Sequence, residues 1–192
     1  MGIGRSFLVS LLLLAAPTAE TAAQSNDFVE LSNGRLLAPA PIDEEIEVVD
    51  GDTIWVGVFQ IRLFGIDAIE ATQPCELKGR PKTYCHTSAS EFLRTFTRRP
   101  DFRCEFHVKD GKNKPWVNHG RYVATCYVGE IDVNAEMVRN GWAFAANTSY
   151  GSAYKSFEEQ ARAKKLGVFA TQVAPPWQWR KEQRGDDDCT CK

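Results

Sequence analysis

The stretch from residue 45 to residue 64 constrains the fold more than any other part of the chain. Ile46, Val48 and Val49 run into Asp50-Gly51-Asp52, and Thr53-Ile54-Trp55-Val56 follows at once. Short β-branched runs on either side of Asp-Gly are a hairpin signal. Val58-Phe59-Gln60-Ile61-Arg62-Leu63-Phe64 gives a third strand, with Gly57 at the turn. The result is a three-stranded meander. Residues 71–86 read as a loop punctuated by Pro74, Gly79 and Pro81. A helix is predicted over 87–97, with Thr87 or Ser88 as cap and Phe92, Leu93 and Phe96 as its apolar stripe. Strands are predicted over 102–108 and 121–128, separated by a polar loop. Two more helices follow over 133–142 and 154–166, ended near Gly141 and Gly167. Five strands with a helix after the third is the plan of an OB-type barrel. The fold class is therefore α+β: a five-stranded OB-type β-barrel with three α-helices. There is no internal repeat.

The 192 residues suffice for one domain and a leader, at roughly 100–200 residues per domain. Arg5 precedes an apolar run over 7–16, and Thr21-Ala22-Ala23 resembles a cleavage site. The run is shorter than the roughly 20 residues a membrane span needs. Residues 1–23 are expected to be a signal peptide cut after Ala23, and 24–44 a linker. The barrel domain is expected over 45–170, with a C-terminal extension over 171–192 in which Trp177 and Trp179 can dock. The mature protein is expected to be secreted or periplasmic, monomeric and free of the membrane.

Six cysteines fit an oxidising compartment. Cys75 and Cys85 flank one loop, and Cys104 and Cys126 lie in two expected strands. Among the many possible pairings, Cys75–Cys85 and Cys104–Cys126 are the expected disulfides. Cys189 and Cys191 sit in the tail. The spacings of cysteines and histidines do not form a zinc set.

The net charge of −2 argues, by itself, against a nucleic-acid partner. Its distribution argues the other way. Residues 78–121 carry eleven Lys or Arg against four Asp or Glu, whereas residues 27–52 carry eight acids against Arg35. One face can be basic although the whole is not.

Three clusters carry chemistry. Asp50-Gly51-Asp52-Thr53 is a turn before it is a site, but Asp52 stands at the entrance of an apolar strand. Arg62 falls inside an apolar strand, where a buried charge needs anionic partners, and Asp67 and Glu70 follow at that strand's end. Arg121 opens the fifth strand after Gly120, read as a residue permitting close backbone approach. Two aspartates plus a carbonyl and waters can hold Ca²⁺, a hard cation. Such a cation polarises a phosphoryl oxygen. Two arginines can grip phosphate oxygens and stabilise charge in the transition state. A glutamate can take a proton from, or orient, an attacking water. Phosphodiester cleavage asks for this mixture.

Val49-Asp50-Gly51-Asp52-Thr53, then Arg62-x4-Asp67-x2-Glu70, then Gly120-Arg121 resemble the staphylococcal nuclease family in order and spacing. The resemblance covers about residues 45–170 and continues through Val133-Asn134-Ala135-Glu136-Met137-Val138-Arg139-Asn140-Gly141 and Ala163-Lys164-Lys165-Leu166-Gly167-Val168-Phe169. It implies that Asp52, Asp67 and the Ala68 carbonyl ligate Ca²⁺. It implies that Glu70 acts on the nucleophilic water and that Arg62 and Arg121 bind the scissile phosphate. The implied substrates are DNA and RNA, single strands before duplexes, cut at the bond to the 5′ oxygen to leave 3′-phosphates. Lys112, Lys114 and His119 are the expected further substrate contacts.

The sequence departs from the family pattern at three places. Ile69 stands where the family usually has proline, which removes a constraint on the turn that aims Glu70. His119 replaces a tyrosine of a well-known member, which alters stacking on a base or sugar. The cysteines are additional. Two other readings compete: a lapsed enzyme kept as a nucleic-acid or protein binding module, and a structural envelope protein. All five charged site residues are retained, which favours the enzyme.

Overall fold

The computed structural model describes residues 29–30, 36–37, 46–75, 79–80, 84–109 and 114–184. The expected signal peptide, Lys112, Cys189 and Cys191 lie outside them. The meander is present as β3 (Ile46–Val48), β4 (Thr53–Val56) and β5 (Phe59–Leu63), following two short strands, β1 (Val29–Glu30) and β2 (Leu36–Leu37). Then come β6 (Ile66–Ala68), helix α1 (Tyr84–Thr97) and β7 (Phe102–Phe106). A hairpin of β8 (Val117–Asn118) and β9 (Arg121–Val128) leads through β10 (Ile131–Asp132) into helix α2 (Val133–Arg139). The last elements are β11 (Ala143–Ala145), helix α3 (Lys155–Ala163) and helix α4 (Pro176–Gln183).

The five expected strands pair in the order β7-β9-β5-β4-β3, with β5 and β9 parallel. Among the described residues this sheet is open rather than closed into a barrel. β2 takes the outer edge of β7, with Leu36 opposite Phe106, so that edge is not free for β3. Two strands thus fall in the segment read as linker. Leu36 is fully buried in the core, and this apolar contact is what a search for strand periodicity passes over. A fourth helix, α4, also goes beyond the expected three.

Register explains how one sheet carries both a core and a site. Side chains alternate between faces along a strand. Ile54, Ile61, Leu63 and Ala124 are buried in the core. The alternate positions pair as Thr53 with Arg62 and Arg62 with Val123. Arg121, two residues before Val123, shares that second face. Asn134, at 0% exposure, locks β9 to the end of β5. It accepts from the Cys126 amide at 3.1 Å and donates to the carbonyls of Phe64 and Ala124 at 3.0 and 3.2 Å. Both expected disulfides are formed. Cys104 and Cys126 face each other across β7 and β9, and Cys75 joins Cys85 at the start of α1.

Candidate active site

The Asp50-Gly51-Asp52 turn is tight for a reason other than turn conformation. A Cβ on Gly51 would lie 2.7 Å from Ala68 Cβ and 2.8 Å from Ala89 Cβ. Glycine here lets the β3–β4 hairpin press against β6 and α1. That contact sets Asp52, 2% exposed, beside Ala68, whose amide donates to Asp52 Oδ2 at 2.7 Å. Gly120 is the reverse case. It has φ +77° and open space where a Cβ would stand, and His119 beside it has φ +50°. These are the two central residues of the β8–β9 hairpin, where a primed turn requires positive φ. Gly120 therefore serves the turn and not a close backbone approach.

Arg62 is the hub. Its Nη1 donates to Asp52 Oδ1 at 2.5 Å and its Nη2 to Asp67 Oδ1 at 2.7 Å, with the Ile66 carbonyl at 3.3 Å. Burial works against its charge, but Asp52 and Asp67 outweigh burial and raise its pKa. Burial pushes the Asp52 carboxyl up to about 7, with Arg62 opposing. Thr53 Oγ1 donates to Asp52 Oδ1 at 3.0 Å and accepts from Arg121 Nη1 at 3.3 Å, which links the second arginine to the carboxylates. Asp67 is buried in β6, which pairs with β11 so that Asp67 faces Phe144.

Arg180, on α4, completes the cluster. Its Nη1 donates to Glu70 Oε1 at 2.5 Å and to Asp67 Oδ1 at 3.1 Å, and its Nη2 to Asp67 Oδ2 at 2.6 Å. The hydrogen bond to Asp67 is the largest cause of its raised pKa, with burial opposing and Glu70 adding to it. Three carboxylates and two guanidinium groups thus form one continuous network.

The network floors an open cleft of about 810 Å³. Asp52, Arg62, Asp67, Ala68, Glu70, His119 and Arg121 all line it, so seven of the sequence-derived residues come together. Lys114 is exposed and is absent from the described lining. Phe64, Trp116 and Tyr150 form an aromatic wall, with Trp116 and Tyr150 ring centroids 4.9 Å apart. Sequence reading missed this wall, and it missed Arg180 and Arg184, which also line the cleft. Their signal was present: Pro175-Pro176 opens a helix, and arginines four residues apart share one of its faces.

One protein family, described as staphylococcal nuclease homologue, matches the chain over residues 60–171. The chain belongs to that family. The match runs from the strand carrying Arg62 to the turn before α4 and leaves Arg180 beyond it. A relative within the curated proteins, succinoglycan biosynthesis protein ExoI of Rhizobium meliloti (strain 1021), is 32% identical over 139 residues, covering 70% of this chain and 68% of that protein. Another, probable endonuclease LCL3 of Yarrowia lipolytica (strain CLIB 122 / E 150), is 29% identical over 136 residues, covering 64% of this chain and 55% of that protein. The site contains the carboxylate and arginine types that a nuclease uses.

Proposed function

We infer that this chain is an exported phosphodiesterase that hydrolyses DNA and RNA, single strands more readily than duplexes, to products ending in 3′-phosphates, with Ca²⁺ as its metal. The observation that carries the reading is the convergence of Asp52, Arg62, Asp67, Glu70 and Arg121 in one cleft. Family membership and the name of the LCL3 relative support it. The two disulfides favour export, and no helix among the described residues is long and apolar enough to cross a membrane.

Asp52 and Asp67 share one guanidinium, and Ala68 lies against Asp52. The carboxylates of Asp52 and Asp67, which also accept from Arg62 and the Ala68 amide, are hard oxygens of the kind Ca²⁺ takes, and together with the Ala68 carbonyl they would hold it. Bound there, it would supply Lewis-acid polarisation of a phosphoryl oxygen. The protein's own groups do the rest. Arg62 and Arg121 share one sheet face and bind the phosphate oxygens, where charge builds as water adds to phosphorus. Glu70 orients that water and accepts its proton. A phosphorus–oxygen bond forms to the water oxygen, the bond to the 5′ oxygen breaks, and that oxygen takes a proton from solvent and leaves as a 5′-hydroxyl. The aromatic wall offers faces on which flanking bases stack, a contact indifferent to sequence.

The test is cleavage of heat-denatured DNA by oxidised protein with Ca²⁺ or chelator, beside Glu70→Gln and Arg121→Ala. Loss of cleavage on chelation, and a fall of about 10²–10³-fold in each variant, is expected for a lost base or oxyanion donor. A folded, Ca²⁺-binding wild type that leaves DNA intact would transfer the assignment to a binding module.

A further inference from the structure

Glu70 is held by a part of the chain 110 residues further on. Its carboxylate accepts from Arg180 Nη1, and Arg180 is its one side-chain partner among the described residues. Its backbone amide donates to Gln73 Oε1 at 3.4 Å. Gln73 is 2% exposed and donates through Nε2 to the Ala174 carbonyl at 2.6 Å. Both the backbone and the side chain of Glu70 are thus tied to the segment 174–180.

That segment is itself anchored. Pro176 opens α4 and is buried. Trp177 stands edge-on to Phe144, with centroids 5.8 Å apart, in the apolar cluster that also holds Cys75 and Cys85. Arg180 is therefore delivered by a docked helix. Its planar fork engages Asp67 through both terminal nitrogens while one of them also meets Glu70. One cation sets the spacing of two carboxylates that would otherwise repel.

We propose that Arg180 is a positioning residue of the site, holding Glu70 against Asp67, so that the functional unit extends through α4 beyond the family's residues 60–171. The proposal rests on the nuclease reading for its kinetic arm only.

The test uses the full chain in five forms: wild type, Arg180→Ala, Arg180→Lys, Glu70→Gln and the Arg180→Ala/Glu70→Gln double variant. Two readouts are taken: kcat and KM on a single-stranded oligonucleotide, and amide hydrogen exchange of residues 66–75 in metal-free protein. In Arg180→Ala, kcat is expected to fall about 100-fold, the scale of a misplaced catalytic group, with KM nearly unchanged. Lysine should restore part of it, since a point charge holds one carboxylate but cannot fork. On the Glu70→Gln background, removing Arg180 should cost nothing further, because coupled residues are not additive. Exchange over 66–75 should quicken in Arg180→Ala while β7 and β9 are unaffected. Fully additive losses would overturn the proposal, and a variant that cleaves faster and binds Ca²⁺ more tightly would overturn it by making Arg180 a competitor of the metal. Unchanged exchange would also overturn it. Quickened exchange in a protein whose wild type never cleaves would sustain the positioning contact and sink the nuclease reading instead.

Discussion

The Asp52 carboxyl is nearly sealed from solvent, and burial lifts its pKa to about 7 even with Arg62 in contact. Its proton must leave before the oxygen can ligate a cation. Below pH 7 that proton competes with the metal. Ca²⁺ affinity is thus expected to be about tenfold weaker at pH 6 than at pH 8, since a ligand must bind deprotonated. Calorimetric isotherms at the two pH values check this, and equal affinities would remove Asp52 from the ligand set. The same shift has a sign for stability. The folded pKa lies above the unfolded one, so stability contributed by this group is complete below the unfolded value and declines as pH rises towards 7. Arg62 was legible as a charge that needed anions, because it interrupts an apolar strand. Thr53 was not, because a threonine in a strand is unremarkable until its hydroxyl is seen between Asp52 and Arg121.

The elements most visible in sequence are those whose signal is local. β3, β4 and β5 follow from alternation and turn residues, and α1 from its apolar stripe, although it starts at Tyr84 and so takes the expected caps Thr87 and Ser88 into its first turns. The open edge and β2 depend on Leu36 finding Phe106, seventy positions away, which no local window contains. Likewise α4 is short and its docking is written in Trp177 meeting Phe144. Two substitutions probe the joints between elements. Gly51→Ala would force a methyl within 3 Å of Ala68 and Ala89 and is expected to cost about 1–3 kcal/mol, the usual range for overpacking. Asn134→Ala would strip the Cys126 amide and two carbonyls of a buried partner, an expected loss of about 3 kcal/mol. Urea unfolding measures both, and a change within experimental error would show that the hairpin or the α2–β9 joint repacks freely.

At the scale of the molecule, a net charge of −2 coexists with a cleft carrying Arg62, Arg121, Arg180 and Arg184. The same lining carries Asp50, Asp52, Asp67 and Glu70, so these arginines meet a polyanion beside equal negative charge. For the Glu70→Gln protein, single-strand affinity is expected to fall with salt along a log–log slope of about −2, as for roughly three phosphates met. Anisotropy titrations read the slope, and a flat line would mean that the cleft does not follow the backbone. The Arg180–Glu70 contact has a further consequence in time. A ribosome delivers Asp52, Arg62, Asp67 and Glu70 early and Arg180 110 residues later. At about 5–20 residues per second, that interval is roughly 5–20 s. Throughout it the nascent chain carries Glu70 without its holder, so the Glu70–Asp67 pair is set only as synthesis nears its end.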